Sequence, residues 1–300
     1  MRILTLSFAC NNACIFCAQG KLREASESID AESAVREVAR TLIAGETIAL
    51  AGGEPTLHER LPDWIQALDA AGAGRIVVQS NGRRLAYRAY ASRLREASRR
   101  LALDVSLAGS TEPMHDYHTT TPGSFKQTVV GLRNAHAEGI PASVSCVVTR
   151  SNFRHLTEIV RLCRALDATG VRFVPAHALG AARELRDRVV PALELLAPYL
   201  AQAQAEAKKL GLALRVDVNG APEEGAAGAF AGLGAVELAA APAAAASSTA
   251  PIARADRSRC WGGPRLADAK SGRPSGGRAT SCGRSSRPCS TGRSHATSPR

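Results

Sequence analysis

The last fifty residues of this 300-residue chain lack the apolar side chains from which a core is built. From the set Leu, Ile, Val and Phe, residues 251–300 contain Ile252 and Leu266 and nothing else. Such a segment buries too little apolar surface to offset the conformational entropy that it would lose on ordering. We therefore predict a disordered basic tail over 251–300. An Ala/Gly-rich linker over 221–250, too interrupted to span a membrane, would connect it to a folded domain at 1–220.

Acidic residues are also scarce in this tail, and their scarcity explains the basic charge of the whole chain. The tail holds 11 of the 38 Lys and Arg residues but 2 of the 27 Asp and Glu residues, so it carries +9 of the net +11. The first 250 residues are therefore nearly neutral. A nucleic-acid-binding enzyme ordinarily carries basic charge on its folded part, so we expect no specific nucleic-acid partner. The abrupt change in composition also leaves open a frameshifted or degenerate C-terminus.

No signal-peptide pattern opens the sequence. Met1 and Arg2 lead directly into the apolar segment at 3–8, without a longer apolar stretch or a cleavage site. The sequence therefore gives no sign of secretion, the setting in which a disulfide would be expected. We also expect no membrane association.

Histidine is absent around the first three cysteines, Cys10, Cys14 and Cys17, in the stretch CNNACIFC. Zinc sites usually have four ligands in CxxC pairs or include histidine. A four-iron cluster is ordinarily held by four thiolates, so three would leave one iron open to a cofactor. The pattern favours such a cluster, with a zinc site, a disulfide or buried thiols as alternatives.

Further motifs follow in the order of the chain. They are Gly52-Gly53-Glu54-Pro55, Ser80-Asn81-Gly82, Ser106 to Ser110, His115-Asp116 and Pro122 to Phe125. Together with the CxxxCxxC spacing, they resemble the signature of radical S-adenosylmethionine (radical SAM) enzymes over about residues 3–180. The segment after the fourth strand is similar to that of members that mature peptides and haem-like cofactors.

The resemblance implies two cofactors, a [4Fe-4S] cluster on Cys10, Cys14 and Cys17 and S-adenosyl-L-methionine on its open iron. It also implies a set of cofactor-binding residues: Phe16, Gly52, Gly53, Glu54, Pro55, Ser80, Asn81 and Ser106. The glycine pair would meet the methionyl amino group. Gly-Gly-x-Pro and Asn-Gly are also common turn sequences, so a purely structural role remains an alternative.

Short apolar or β-branched runs predict six strands, at 2–8, 46–51, 75–80, 101–107, 142–149 and 171–175. Segments of helical periodicity lie between most of them, which predicts parallel strands with right-handed crossovers. The fold class is therefore α/β, a partial (β/α)6 TIM-like barrel. We also expect a helix over 31–44 that ends at Gly45, a helix over 195–210 and an edge strand over 212–218.

Two of the predicted helices begin with residues that are typical of N-caps. Ser124 and Gln127 have the S-x-x-Q form of a capping box, for a helix that ends near Gly139. Ser151 or Asn152 is expected to cap another helix that runs to about residue 167.

Several polar residues at the predicted mouth are weaker candidates. His115, Asp116 and His118 are expected in a loop over the mouth, as substrate contacts or loop-fixing residues, and Thr149 and His177 follow strands five and six. Cys146 and Cys163 are interpreted as core residues. Cys260, Cys282 and Cys289 match no auxiliary-cluster spacing and are interpreted as spectator thiols. No catalytic residue is assigned.

The function implied by the resemblance is reductive cleavage of S-adenosylmethionine to a 5′-deoxyadenosyl radical, which abstracts hydrogen from a substrate. Such clusters are oxygen-sensitive and need a low-potential electron donor, so the resemblance implies a cytoplasmic enzyme with a flavodoxin or ferredoxin partner. Peptide or cofactor maturation is the favoured role, with a peptide or small-molecule substrate. The alternatives are a non-catalytic iron-sulfur protein, such as a sensor or electron carrier, and a degenerate relic.

Overall fold

The structure, a computed structural model, describes residues 1–20 and 29–217. The predicted linker at 221–250, the predicted tail at 251–300 and the three cysteines of that tail lie outside these residues. No helix in the described ranges is long and apolar enough to cross a membrane.

Seven parallel strands form one sheet in the order β1 to β7, each paired with the next along the chain. The strands are Arg2–Thr5 (β1), Thr47–Ala51 (β2), Arg75–Ser80 (β3), Leu101–Ser106 (β4), Ala142–Val148 (β5), Gly170–Pro175 (β6) and Ala213–Val216 (β7). The predicted α/β class with a parallel, TIM-barrel-like sheet is confirmed. The edge strand expected at 212–218 is β7, parallel to β6.

Helices connect these strands. They are Ala31–Thr41 (α1), Leu61–Ala70 (α2), Arg88–Ala97 (α3), Glu112–Thr119 (α4), Ser124–Ala137 (α5), Leu156–Ala165 (α6), Ala181–Glu184 (α7), Arg186–Val189 (α8) and Leu193–Leu210 (α9). Three-residue 3₁₀ turns at Pro55–Leu57 and Phe153–His155 and a four-residue turn at Arg83–Ala86 follow strand ends.

Both cap predictions were wrong in their details. Ser124 is the first residue of α5, and its hydroxyl donates to Asp116 Oδ1 at 2.7 Å rather than capping its own helix. The Asp116 carboxylate also accepts from the backbone N–H groups of Gly123 and Phe125, at 2.6 and 2.8 Å. A carboxylate from the preceding helix therefore takes over the capping role at the N-terminus of α5, where negative charge is favourable.

Asn152 does not cap the helix that follows it. Its side-chain oxygen accepts from the Thr149 N–H at 2.7 Å, and its amide donates to the carbonyls of Ala108 and Val147, each at 2.9 Å. Asn152 therefore ties the end of β5 to the end of β4. The helix α6 starts later, after a 3₁₀ turn.

The two faces of the strands are built differently. On β3, Ile76 and Val78 are fully buried in the core beneath the helices, whereas Arg75, Val77 and Gln79 line the interior of the barrel. This alternation follows from the two-residue period of a strand. The barrel interior is therefore open to polar side chains, while the outer layer forms the apolar core.

Candidate functional site

A cavity lies at the C-terminal ends of the strands, where βα barrels ordinarily carry their chemistry. Its volume is about 830 Å³ including the open mouth. The sequence-predicted residues that line it are Cys10, Cys14, Phe16, Cys17, Gly52, Gly53, Glu54, Ser80, Asn81 and Ser106. Pro55 is buried in the 3₁₀ turn beside the cavity and is not part of its lining. The fold thus brings together residues from four separate strand ends.

The glycine pair at the end of β2 is required by the close approach of another backbone segment. A Cβ atom on Gly52 would lie 2.3 Å from the Ser7 carbonyl oxygen, and one on Gly53 would lie 2.1 Å from the Ala9 carbonyl oxygen. The Gly53 N–H donates to Ser7 O at 2.7 Å, and the Glu54 N–H donates to Ala9 O at 2.8 Å. Gly52 and Gly53 therefore hold the start of the cysteine loop, which we define as residues 9–19, against β2.

Glu54 is a buried carboxylate that joins the ends of β2 and β3. Its Oε1 accepts from the Thr56 N–H, the Thr56 hydroxyl and the Ser80 hydroxyl, at 3.1, 2.6 and 2.8 Å, and its Oε2 accepts from the Asn81 N–H at 2.6 Å. Burial raises the pKa of Glu54, and the four hydrogen bonds oppose that rise. The Ser80 hydroxyl is therefore engaged by the protein itself.

The cysteine loop is clamped from the end of β3. The Asn81 amide donates to Asn11 Oδ1 at 2.7 Å. The Arg83 guanidinium donates to the Asn11 carbonyl, to Asn12 Oδ1 at 2.7 Å and to Gln127 Oε1 at 2.6 Å. Arg83 was missed by sequence reasoning because it lies beyond the Ser-Asn-Gly motif. The signal in the sequence was that a cationic side chain, Arg83, follows Asn81 by two residues at the end of β3.

The end of α4 and the start of α7 hold the rest of the loop. The backbone N–H groups of Ala13 and Ile15 donate to the carbonyls of Thr119 and His118, each at 3.0 Å. The Ala181 N–H donates to the Cys17 carbonyl at 2.9 Å. Backbone hydrogen bonds on both sides therefore fix the path of the chain between the three cysteines.

The donor set in this loop has the kind of ligands that an iron-sulfur cluster needs. Within residues 1–20 and 29–217, no three His, Cys, Asp or Glu side chains converge as the ligands of one ion do. Each thiolate of a four-iron cluster binds a different iron, so the sulfur atoms need to surround a cube and not a point. Cys10, Cys14 and Cys17 are half-buried thiols at one cavity, as that arrangement requires.

The residues expected in a loop over the mouth lie instead on the helix α4. His115 and His118 are buried, at 1% and 0% exposure. His118 Nδ1 lies 2.6 Å from the Met114 carbonyl and its Nε2 lies 2.7 Å from the Thr149 hydroxyl. Because a carbonyl only accepts, Nδ1 carries the proton and Thr149 donates to Nε2. Burial lowers the pKa of His118, which keeps this ring neutral.

Unpartnered polar atoms concentrate at the cavity. In the described part of the chain, four buried side-chain atoms lack a hydrogen-bond partner: Gln19 Nε2, Gln79 Oε1, His115 Nε2 and Asp217 Oδ2. The first three of these residues line the cavity. Buried polar groups in native proteins are nearly always satisfied, so this lining fits a polar ligand that supplies the missing partners.

A second cavity of about 1050 Å³, including its open mouth, occupies the barrel interior below. Gln79 and Ser145 line both cavities. Asp104 Oδ2 accepts from Arg172 at 2.8 Å, and Asp104 Oδ1 accepts from the Ser145 hydroxyl at 2.6 Å. The side chains of Arg172 and Asp104 are each about 10% exposed. Branched apolar residues usually fill a barrel interior, whereas this cavity is lined by polar side chains and by the first residues of four strands, Thr47, Arg75, Gly170 and Ala213.

The remaining candidates lie around the site. Phe16 packs in a small apolar cluster with Val147 and Ala176, and its ring centroid is 6.1 Å from that of His118. His177 lines a separate small cavity beside Phe16. Cys146 and Cys163 are buried in the core, as expected, and burial raises the pKa of each thiol.

The chain resembles known proteins in sequence. The family model described as Radical SAM superfamily matches residues 4–163, more than half of the chain. A probable GTP 3′,8-cyclase from Sulfolobus acidocaldarius is 27% identical over 184 residues, covering 60% of this chain and 57% of that protein. An AdoMet-dependent heme synthase from Oleidesulfovibrio alaskensis is 25% identical over 191 residues, covering 62% and 48%. The chain thus spans about half the length of these curated relatives.

Solved structures share the fold. Streptococcus suis SuiB, bound to its precursor peptide SuiA, superposes with a TM-score of 0.60 at 14% identity, covering 72% of this chain and 48% of that chain. Methylornithine synthase (PylB) gives a TM-score of 0.50 at 17% identity, covering 72% and 70%. At these identities, the likeness concerns the fold.

Proposed function

This chain belongs to the radical SAM superfamily, and from that premise we propose that it is an enzyme that cleaves S-adenosylmethionine reductively. Cys10, Cys14 and Cys17 would hold a [4Fe-4S] cluster. The observation that carries the proposal is the convergence of these thiols on one cavity with Gly52, Gly53 and three side chains that each have a buried polar atom without a partner among the described residues.

The cofactors would supply the chemistry that the side chains lack. The cluster on Cys10, Cys14 and Cys17 would supply one-electron reduction of S-adenosylmethionine, the chemistry that would yield methionine and a 5′-deoxyadenosyl radical for hydrogen abstraction from the substrate. The cysteines are the cluster ligands in this proposal. Gly52, Gly53, Asn81 and Ser106 form the walls of the nucleotide site.

Within that site, the protein's own side chains act mainly by placement. Glu54 and Ser80 fix the β2 and β3 ends against each other, so their contribution to cofactor binding is to shape the cavity wall. Arg83 and Asn81 hold the cysteine loop in place. Phe16 and Val147 provide an apolar wall that keeps water away from the reacting atoms.

The substrate would lie toward the barrel interior, below the cofactor site. Gln79 and Ser145 form the shared floor of the two cavities, and the Gln79 side-chain oxygen has no hydrogen-bond partner among the described residues. A peptide or a small molecule in the course of cofactor maturation is the substrate class that we propose. The AdoMet-dependent heme synthase and the peptide-bound SuiB structure named above support this choice by similarity alone.

The proposal includes a reductant and a compartment. A low-potential donor such as a flavodoxin or ferredoxin would reduce the cluster. The oxygen sensitivity of such a cluster agrees with a cytoplasmic location.

The test is anaerobic reconstitution with iron and sulfide, followed by reduction with dithionite in the presence of S-adenosylmethionine. We expect a broad absorption shoulder at roughly 400 nm and formation of 5′-deoxyadenosine without added substrate. Cys14→Ala should abolish both, whereas Cys163→Ala, which removes a thiol buried in α6, should retain both. A full cluster without cofactor cleavage would favour the iron-sulfur carrier, and colourless protein would refute the proposal.

A further inference from the structure

His115 combines deep burial with a ring nitrogen that has no hydrogen-bond partner within residues 1–20 and 29–217. Its side chain is on α4 and the residue is 1% exposed. Nδ1 accepts a hydrogen bond from the Ala108 N–H at 3.2 Å. A neutral imidazole that accepts through Nδ1 carries its proton on Nε2. His115 therefore presents a buried N–H donor at Nε2.

This donor has no hydrogen-bond partner among the described residues, and its residue lines the upper cavity. A buried donor without a partner costs about 1–3 kcal/mol, so a ligand acceptor is the simplest account of it. Gln19, which is 5% exposed, presents a second unpartnered nitrogen to the same cavity. The two donors call for a ligand that carries acceptor oxygens.

The neighbouring acidic residue performs a different task. The Asp116 carboxylate is occupied by the N-terminus of α5, through Gly123, Ser124 and Phe125. The ring of Phe125 lies 5.8 Å from that of His115, centroid to centroid, and helps to fix its orientation. In the His-Asp pair, the aspartate thus stabilises the fold and the histidine faces the cavity.

His115 lies on the side of the cavity that is next to the cysteine loop. The end of its helix pairs with the cysteine loop through His118 and Thr119. The residues shared with the lower cavity, Gln79 and Ser145, define the opposite, substrate side. A ligand held at the cysteine loop is therefore the nearest source of an acceptor for Nε2.

We propose that His115 is a cofactor-binding residue whose Nε2–H donates to an acceptor oxygen of S-adenosylmethionine, either the methionyl carboxylate or a ribose hydroxyl. This inference rests on the function proposed above. Burial lowers the pKa of His115 to about 4, so the ring stays neutral at pH 7. Its proton then remains on Nε2, because Nδ1 accepts from Ala108.

Two substitutions separate the two ring nitrogens. His115→Asn keeps an oxygen near the Nδ1 position, which accepts from Ala108, but provides no donor at the Nε2 position. His115→Gln places an amide N–H near the Nε2 position but loses the acceptor for Ala108. Binding of S-adenosylmethionine to cluster-loaded protein is measured by equilibrium dialysis, and the thermal midpoint without nucleotide reports the fold.

We expect His115→Asn to raise the Kd about 10-fold to 100-fold, as the loss of one hydrogen bond to a buried or charged acceptor does, with little change in the thermal midpoint. His115→Gln should bind S-adenosylmethionine more tightly than His115→Asn. The thermal midpoint of His115→Gln should be lower than that of the wild type, because the Ala108 N–H loses its acceptor. His136→Leu, at an exposed histidine of α5, serves as the control.

Binding of the two halves of the cofactor identifies the acceptor. A weaker affinity of His115→Asn for methionine assigns the carboxylate, and a weaker affinity for 5′-deoxyadenosine assigns the ribose. Equal Kd values for S-adenosylmethionine in wild-type protein and His115→Asn would overturn the inference. Failure of the wild-type protein itself to bind S-adenosylmethionine would instead refute the proposed function.

Discussion

Replacing Glu54 by Gln changes the chemistry of a buried site without changing its volume. The carboxylate accepts from two backbone N–H groups, Thr56 on Oε1 and Asn81 on Oε2. The hydroxyls of Thr56 and Ser80 can rotate to accept, but a backbone N–H cannot. Because Gln has one oxygen, its amide nitrogen must face one of these fixed donors.

The magnitude follows from that one lost bond. A buried N–H left without its acceptor costs about 1–3 kcal/mol. No cavity is created, so no packing cost adds to this. The amide is easier to bury than the carboxylate, whose pKa is raised by desolvation, and this partly offsets the loss. We expect Glu54→Gln to lower the free energy of unfolding by about 1–3 kcal/mol, or roughly 3–10 °C in Tm.

Thermal and urea unfolding of the cofactor-free protein at pH 7 provide the assay. The matched control is Glu37→Gln on α1, a carboxylate that is 60% exposed and paired with Arg40. An exposed ion pair contributes little to stability because solvent screens it, so this variant should unfold close to the wild type. If Glu54→Gln unfolds at the same midpoint as Glu37→Gln, the carboxylate does not act as the link between β2 and β3 described above.

Three further predictions concern the clamp, the barrel interior and the effect of acid. Arg83→Met, which removes the hydrogen bonds to the cysteine loop, should lower the iron bound per chain after reconstitution, with Tm changed less than in Glu54→Gln. Arg172→Met should cost about 3–5 kcal/mol in urea unfolding because it leaves Asp104 buried and unpaired, and Arg172→Met with Asp104→Asn should recover part of that loss. The pKa of His115 is lowered from 6.5 to about 4 in the fold, so its contribution to stability is full above pH 6.5 and is lost as pH falls toward 4. Relative to His115→Asn, the wild type should lose about 3 kcal/mol over that window, and parallel pH profiles for the two proteins would contradict this.

The order of elements could be predicted from the sequence because each strand is an apolar run that turns polar at its end. The first strand shows the limit of this reasoning. It was expected at 2–8, yet β1 spans Arg2–Thr5, although the Leu6 N–H still donates to Ala51 O and Ser7 O still accepts from Gly53. The apolar run of the sequence continues to Phe8, past the end of β1 at Thr5, because residues 6–8 lie against Gly52 and Gly53.

Helix ends were less predictable because tertiary contacts decide them. The helix α1 ends at Thr41 and not near Gly45, since Leu42 adopts an extended backbone and packs against the core. The capping box at Ser124 does not form, because Asp116 binds the N-terminus of α5 from another helix through the N–H groups of Gly123 and Phe125 and the Ser124 hydroxyl. A local sequence pattern does not reveal that Asp116, eight residues before Ser124, binds the start of α5, because only the fold brings the two residues close.

The candidate site could be located from its motifs. The motifs did not indicate which residues shape the cavity and which have polar atoms available to a ligand. Several predicted site residues have their polar atoms engaged by the protein: Glu54 and Ser80 bond to each other, and Asn81 bonds to Asn11. At the cavity, the polar atoms without a hydrogen-bond partner among the described residues belong to Gln19, Gln79 and His115, which no motif singled out as cofactor contacts. The cofactor motifs therefore shape the cavity, and the atoms available to a ligand come from positions beside them and from the His-Asp motif. For this barrel, a search for ligand contacts should begin with the unsatisfied donors and acceptors of the wall.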